Sequence, residues 1–340
     1  MRNAERQSES GFTLGEVLIA TALTLVIVSA AVEMLTRTLT LTGTARVISE
    51  TNHGLQAGTS LMVRDFMQTG QGVPLGGIPI PNGAGATAVQ RPGLAGMTFP
   101  VAQTALPALS PGNGLGPVLL GVSTDLINVV YADRTLNLSA NPLTAIAADG
   151  STMTVAAATP VTGVGGLQAG DVILFSNALG NALQMVTTTP NNQTVTFAAG
   201  DPMNLNQRVA AFGTVMNLQS SPGVFPPTTA TRVLIVSYFI DTTTDPTLPR
   251  LVRRVNMGQN LAIAMGVENL QITYDLVDGV TNPTNVDTPA VTNSANQIRK
   301  ANIFLSARSQ DVNPQTKQFF RNTMATQVGL RSLSFVDRYR

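Results

Sequence analysis

The sequence predicts an α+β protein in which one long N-terminal helix, apolar in its first half and amphipathic in its second, packs on a mostly antiparallel, β-rich head. Three observations predict it. Val17 to Val32 is a run of sixteen residues without a charge. The positions that follow repeat at helical steps. From Asp125 onward the chain breaks into short β-branched runs separated by turn residues. At 340 residues there is room for one large domain or two modest ones, with a sizeable core. Hydrophobic residues make up 44% and charged ones 11%, against about 25% charged in an ordinary soluble domain. Thr, Asn, Gln, Ser, Gly and Pro fill the difference, so the surface is polar and largely uncharged. A net charge of +1 provides no field for steering toward nucleic acid or acidic substrates. Cysteine is absent, which excludes disulfides, thiolate nucleophiles and Cys-ligated metals.

The first element begins after a polar leader, residues 1–11, that carries Arg2 and Arg6. Residues 12–35 form the apolar half of the helix, about 36 Å long at the standard rise and enough to cross roughly 30 Å of hydrocarbon. The leader arginines favour a cytoplasmic N-terminus, with everything after Leu35 outside. Two readings of the segment are open. A secretory signal would be cut after the apolar run, where Ser29, Ala30 and Ala31 supply small residues. In the other reading the cut precedes the run and the helix is kept. "GFTLGE", Gly11 to Glu16, resembles the motif of type IV prepilins: Gly ends a short charged leader, Phe12 is the first mature residue, and Glu16 stands fifth. The resemblance implies that a prepilin peptidase cuts between Gly11 and Phe12 and that the new amine is methylated. It further implies that the helices of many subunits bundle into a fibre core, where Glu16 serves assembly. A charge at the centre of a lone membrane helix costs about 2.5 to 3.5 kcal/mol, and less near an end. The positive Phe12 amine, four residues and about 6 Å from Glu16 along the helix, would complement its carboxylate within one chain or between neighbours. Gly15 departs from the family, which has a branched apolar residue there. Glycine costs a helix about 1 kcal/mol relative to alanine, which predicts a loose first turn.

Residues 36–69 form the amphipathic half. Ala45, Ile48, Asn52, Leu55, Thr59, Met62 and Phe66 recur at alternating steps of four and three, the mark of a face turned to a packing partner. Gly70, Gly72 and Pro74 supply stop signals. The helix is expected from Phe12 to Thr69, about 85 Å. Gly43, Gly54 and Gly58 keep open a signal anchor followed by an unrelated stalk helix. His53, the one histidine, reads as a solvated position on the stalk.

Residues 70–117 are too rich in Gly and Pro for helix or central strand. They predict an irregular loop that is either functional or a mobile surface arm. No Gly-Lys-Ser/Thr follows its glycines, so a phosphate loop has no support. Residues 118–220 read as an inserted β-module with strands at 125–132, 151–158, 171–177, 183–189 and 193–198. Within it, 169–197 reads as an antiparallel meander with turns at Gly180–Asn181 and Asn191–Asn192. Residues 221–340 read as a C-terminal pilin-like β-domain. Two strands within 231–256 join through a turn around Pro246, with Val233, Ile235 and Ser237 on one face and Leu234, Val236 and Tyr238 on the other. Further strands lie within 265–279 and 298–311. The order "VSYFID", "LVRRV", "GVENLQITYDL", "IRKANIFLSAR" and "QVGLRSLSF" is similar to the C-terminal region of PilW-like minor pilins and of the J-type minor pseudopilin of type II secretion.

Chemistry is sparse. No Gly-x-Ser-x-Gly elbow, His-Glu-x-x-His helix or calcium loop occurs, so no enzyme, cofactor or metal is expected. Asp278, Asn282, Asn285 and Asp287 could hold a cation, but Pro283 and the irregular spacing favour a solvated loop. Arg250, Arg253 and Arg254 lack interleaved aromatics, which favours ion pairing at a sheet edge over nucleic-acid binding. The resulting expectation is a minor pilin that joins or primes a type IV pilus-like fibre near its tip, because so bulky a head would hinder close packing in the shaft. Its partners would be prepilin peptidase and other major and minor pilins. It would sit in the inner membrane before assembly, and in the periplasm, pilus or cell surface afterwards. The alternatives are a J-type pseudopilin, and a secreted binding module with a cleaved signal.

Overall fold

A computed structural model describes residues 11–136, 138–289 and 295–333. The leader expected at residues 1–11 therefore lies, except for Gly11, outside the described residues, as do the last two residues of "QVGLRSLSF". One uninterrupted helix runs from Leu14 to Gln68, 55 residues or about 82 Å. Thr13 caps its start in an extended conformation. At the other end the Thr69 N–H donates to the Phe66 carbonyl (3.1 Å), and Gly70, at φ +81°, turns the chain so that its own N–H reaches the Val130 carbonyl (2.8 Å). The left-handed conformation required there is the one glycine adopts without a Cβ penalty.

The buried stripe of the second half is Val47, Thr51, Leu55, Gly58, Thr59, Met62, Asp65 and Phe66. Leu55, Thr59, Met62 and Phe66 sit where the spacing put them. Nearer the membrane half the stripe differs from the expected one: Ala45 is exposed and Ile48 and Asn52 are half-buried. A 3.6-residue turn drifts against an alternating four-three repeat, and steps of four carry the stripe back to Thr51 and Val47.

The head is built around the strand Thr229–Asp241. One of its edges pairs antiparallel with Ile127–Asp133. The other carries two strands end to end, Val172–Asn177 along Thr229 to Val233 and Arg250–Val255 along Val236 to Asp241. Asn256 fills the gap between them. Held at φ +52°, its N–H donates to the Ile235 carbonyl (2.7 Å), its Oδ1 accepts from the Ile235 N–H (3.0 Å), and its Nδ2 donates to the Gly170 carbonyl (3.1 Å). Strands on both sides of position 220 thus share one sheet, and the boundary expected there does not separate two β units.

Two local expectations are corrected. The hairpin Val172–Asn177 with Gly180–Met185 turns at Ala178–Leu179 rather than Gly180–Asn181, because Asn177 pairs with Gly180 and its side chain accepts the Leu179 N–H (2.9 Å). Beyond the hairpin the expected third strand meets it at a single antiparallel bridge, Thr188 with Thr196, where the Thr187 N–H donates to the Thr196 carbonyl and the Thr196 N–H to the Thr188 carbonyl (2.9 Å each). Thr194–Thr196 pairs with Thr152–Thr154 in a separate small sheet, whose Met153 and Val195 cover Ile173, Phe175 and Ala182 of the hairpin. Burying that apolar face favours a second layer over a third coplanar strand.

Residues 70–117 are largely irregular but not a mobile arm. Ile78, Ile80, Val89, Phe99 and Leu106 are buried against Val130, Val172, Leu174, Leu183, Val233 and Ile235, one face of the central sheet. The opposite face, carrying Val236, Tyr238 and Ile240, joins a core with Leu55, Met62 and Phe66 of the helix and with the inward residues of an antiparallel meander, Val267–Leu276, Ile298–Val312 and Phe319–Gly329. The alternation read along Thr229–Asp241 therefore separates two cores. The architecture is α+β: a long helix, half of it packed on antiparallel sheets.

Candidate functional site

The helix half without a partner is the first candidate. Every residue from Gly11 to Leu39 is exposed, Phe12 at 88%. Charge is confined to its ends: Glu16 in the first turn, then Glu33, paired with Arg37 one turn on (2.6 Å). The polar residues between are satisfied internally. Thr21, Thr24, Ser29 and Thr36 donate their hydroxyls to the carbonyls of Leu18, Ala20, Val26 and Val32 at 2.7 to 2.9 Å. A hydroxyl folded onto its own helix costs little in a medium without water. By length and composition this helix is a candidate membrane span or signal sequence.

Gly11 and Phe12 precede the helix, so the backbone between them lies outside its hydrogen-bonded turns. Glu16 occupies the third helical position and forms a reciprocal capping box. The Glu16 N–H donates to Thr13 Oγ1 (3.3 Å), and its carboxylate accepts from the Thr13 N–H (2.9 Å) and hydroxyl (3.0 Å). Two orphan donors of the helix start are thereby satisfied. The first turn, expected to be loose at Gly15, is formed and held at both ends of the box.

A second polar site joins the helix to the head. Asp65, 1% exposed, accepts the Tyr238 hydroxyl (2.6 Å) and Arg253 Nε (2.7 Å) on Oδ2 and the Tyr131 hydroxyl (3.2 Å) on Oδ1. Burial, reinforced by the carboxylate, pushes the Tyr131 phenol up to about 12 and raises Tyr238 as well, so both hydroxyls stay donors at neutral pH. Three strands thus converge on one helical carboxylate. Sequence reading passed over Asp65, although the signal was there: a charge standing between Met62 and Phe66 on the face assigned to packing.

The arginine cluster diverges. Arg250 pairs with Asp241 (2.7 Å), Arg253 with Asp65, and Arg254 donates to the carbonyls of Gly258, Gly93 and Met257. At 278–287, Asp278 accepts the backbone N–H groups of Val280, Thr281 and Asn282 (2.8 to 2.9 Å), which hold its carboxyl below the usual range. Asn285 Oδ1 accepts from Asn302 (3.1 Å). The other Asp278 oxygen accepts the Thr281 hydroxyl (2.8 Å), and among the described residues no group of three His, Cys, Asp or Glu side chains converges. His53 is exposed on the stalk. No family model matches the chain, and no curated protein or solved structure matches it.

Proposed function

We propose that the chain is a minor pilin, cut by a prepilin peptidase between Gly11 and Phe12 and assembled through its exposed helix into a type IV pilus-like fibre. The observation that carries this reading is one helix with two surroundings, packed from Val47 to Phe66 and bare from Leu14 to Leu39, whose bare end opens directly on "GFTLGE". A helix continuous across Ser29–Ala31 suits retention: removing it there would discard the half whose polar groups are all internally bonded. The bare half first holds the chain in the inner membrane and then exchanges lipid for the helices of other pilins. The head, large for a repeating shaft subunit, is presented in the periplasm or at the fibre tip. Glu16 has two jobs, capping its own helix and offering a carboxylate to a positive N-terminal amine.

The mature N-terminus tests this reading. Intact-mass and N-terminal analysis of chain recovered from its native membrane is expected to give N-methylated Phe12. A mature chain beginning at Val32 overturns the proposal, because no assembly helix would remain.

A further inference from the structure

Gly266 passes the chain from one sheet to the other. The strand before it, Leu261–Met265, is an edge of the central sheet, paired only with Arg250–Val255; the strand after it, Val267–Leu276, opens the meander. Gly266 stands at φ +69°, and a Cβ there would strike the Arg308 carbonyl, so the bend needs glycine. The Arg308 N–H donates to the Gly266 carbonyl (2.8 Å), and beyond that bond the strands part. Residues 309–311 of Ile298–Val312 run past Val267, whose pairing with that strand ends at Ala307. No strand pairs with them on that side among the described residues.

Between the parted strands lies a cavity of about 190 Å³, walled by residues 262–265, residues 308–311 and the helix face that carries Val47, Thr51 and Gly54. Consecutive residues line it on both strands. Side chains of a strand alternate between its faces, so each strand turns a backbone edge to the cavity. Among the described residues the N–H and carbonyl groups of 261–265 bond only to the neighbouring strand. Charge or proline ordinarily blunts such an edge. Leu261–Met265 has neither, and Leu261, Ala262 and Met265 are exposed. A bulge that skips Ile263 keeps the edge short, enough for about two or three bonds because alternate residues face outward.

We propose that this edge takes up an extended segment of a partner protein, which adds as a strand along Leu261–Met265 and puts one apolar side chain into the cavity. Backbone groups along an edge are matched by another backbone. A cavity of about 150 Å³ holds a benzene ring, so one apolar side chain fits this one. Charge sets a further requirement. Glu50 is paired with Arg46 (2.7 Å) and Arg308 with Glu268 (3.1 Å), but Asp311 at the rim has no ion pair within 4.0 Å among the described residues, so the incoming segment carries a Lys or Arg. A second copy paired edge to edge would stand across a two-fold axis perpendicular to the sheet. That axis reverses the helix on the sheet's face, and two bare halves pointing opposite ways could not enter one membrane from the same side. This leaves a different protein as the partner, a step that rests on the function proposed above.

The test uses the full chain in detergent micelles and a fluorescein-labelled, amidated hexapeptide, Lys-Val-Thr-Leu-Thr-Val, followed by anisotropy. Because it needs no fibre, its failure is distinct from failure of the pilin reading. Saturable binding is expected, with hydrogen exchange at residues 261–265 slowed by the peptide. Two forms of the peptide, N-methylated at its odd or at its even positions, lose the donors of one edge each. One form should bind about 10-fold or more weakly, the loss of two backbone hydrogen bonds, and the other as well as the parent. Glu in place of the peptide Lys should weaken binding about 2- to 5-fold, the worth of an exposed ion pair, and Asp311→Asn should erase that difference. Gly54→Leu fills the cavity from the helix, where a Cβ meets nothing within 4 Å, and should lose binding; if it does not fold, the peptide forms still decide. No saturable binding, equal affinities of the two N-methylated forms, equal affinity for the Glu form, or undiminished binding by Gly54→Leu overturns the proposal. Protection of 261–265 that rises with chain concentration in the absence of peptide assigns the edge to a second copy and overturns it too.

Discussion

The two halves of the helix invert the usual rule of burial. The bare half, with Leu18, Ile19, Val26 and Ile27 exposed, is the more apolar, whereas the packed half buries Thr51, Thr59 and Asp65. In a helix surrounded by water the apolar residues would face the head and the polar ones would face out. Here the apolar half has the length and composition of a membrane span or signal sequence. The packed half uses polar groups for position: a carboxylate with three donors fixes one axial setting of the helix, which Leu55 and Met62 alone, sliding on an apolar face, would not.

The largest effect should come from breaking that anchor. Asp65→Ala would leave Arg253 and the Tyr131 hydroxyl buried without their acceptor and the Tyr238 hydroxyl with only the Leu61 carbonyl (3.2 Å). Removing one partner of a buried pair costs about 3 to 5 kcal/mol. Two of the chain's four tyrosines, Tyr131 and Tyr238, bond Asp65 and there is no tryptophan, so tyrosine fluorescence in a urea titration follows the unfolding in which this site opens. A loss below about 1 kcal/mol, the size expected of an exposed pair, would mean that the helix is held by apolar contact alone.

Next in size is a pair of substitutions that separates the halves. Phe66, fully buried, should cost about 3 to 5 kcal/mol as Phe66→Ala in the same titration. Leu23, 59% exposed, should cost the head less than about 0.5 kcal/mol as Leu23→Ala. Leu23→Asp asks the complementary question, since a carboxylate there costs about 2.5 to 3.5 kcal/mol in hydrocarbon. The expected result is unchanged unfolding of the head and a chain lost from the membrane fraction. Full membrane retention of Leu23→Asp would contradict the role given to the bare half.

Glu16 allows a finer division. Gln satisfies a capping box as Glu does, so Glu16→Gln keeps the bonds to Thr13 and removes only the charge, whereas Glu16→Ala removes both. If the carboxylate docks on an N-terminal amine, both variants are cleaved normally and both fall together in sheared fibres. Recovery of Glu16→Gln at the wild-type level, with Glu16→Ala reduced, would assign Glu16 to capping alone.

Legibility followed the range of the forces. The helix, its stop at Gly70 and the two-faced strand at Thr229–Asp241 were readable because local periodicity sets them. Pairing was less so: Thr194–Thr196 touches the hairpin's chain only at Thr188 and runs its length along the small sheet, a division set by which apolar face needs cover, a long-range matter. The segment 70–117 misled through its Gly and Pro content, which forbids regular structure but not burial. Its widely spaced Ile78, Val89, Phe99 and Leu106 form no repeat, yet they close one face of the sheet. Of the candidate sites, Gly11, Phe12 and Glu16 stand in the sequence as a motif with fixed spacing, and their processing and assembly roles are the proposal made above. Asp65 was not legible, because its partners lie far along the chain.

The smallest effects should come from the helix glycines, and their signs divide by surroundings. Each sits in a helix interior, where alanine gains about 1 kcal/mol from propensity. A Cβ at Gly54 would meet nothing within 4 Å, so Gly54→Ala should gain nearly all of it. At Gly43 the same atom would lie 2.9 Å from Pro314 Cγ, and a ring atom cannot swing aside as a side-chain tip can. Gly43→Ala should therefore lower stability in the titration that Gly54→Ala raises. Equal gains at both would show that Pro314 yields freely, leaving Thr44, whose hydroxyl meets Asn313 Oδ1 (3.1 Å), as the first fixed point between helix and head.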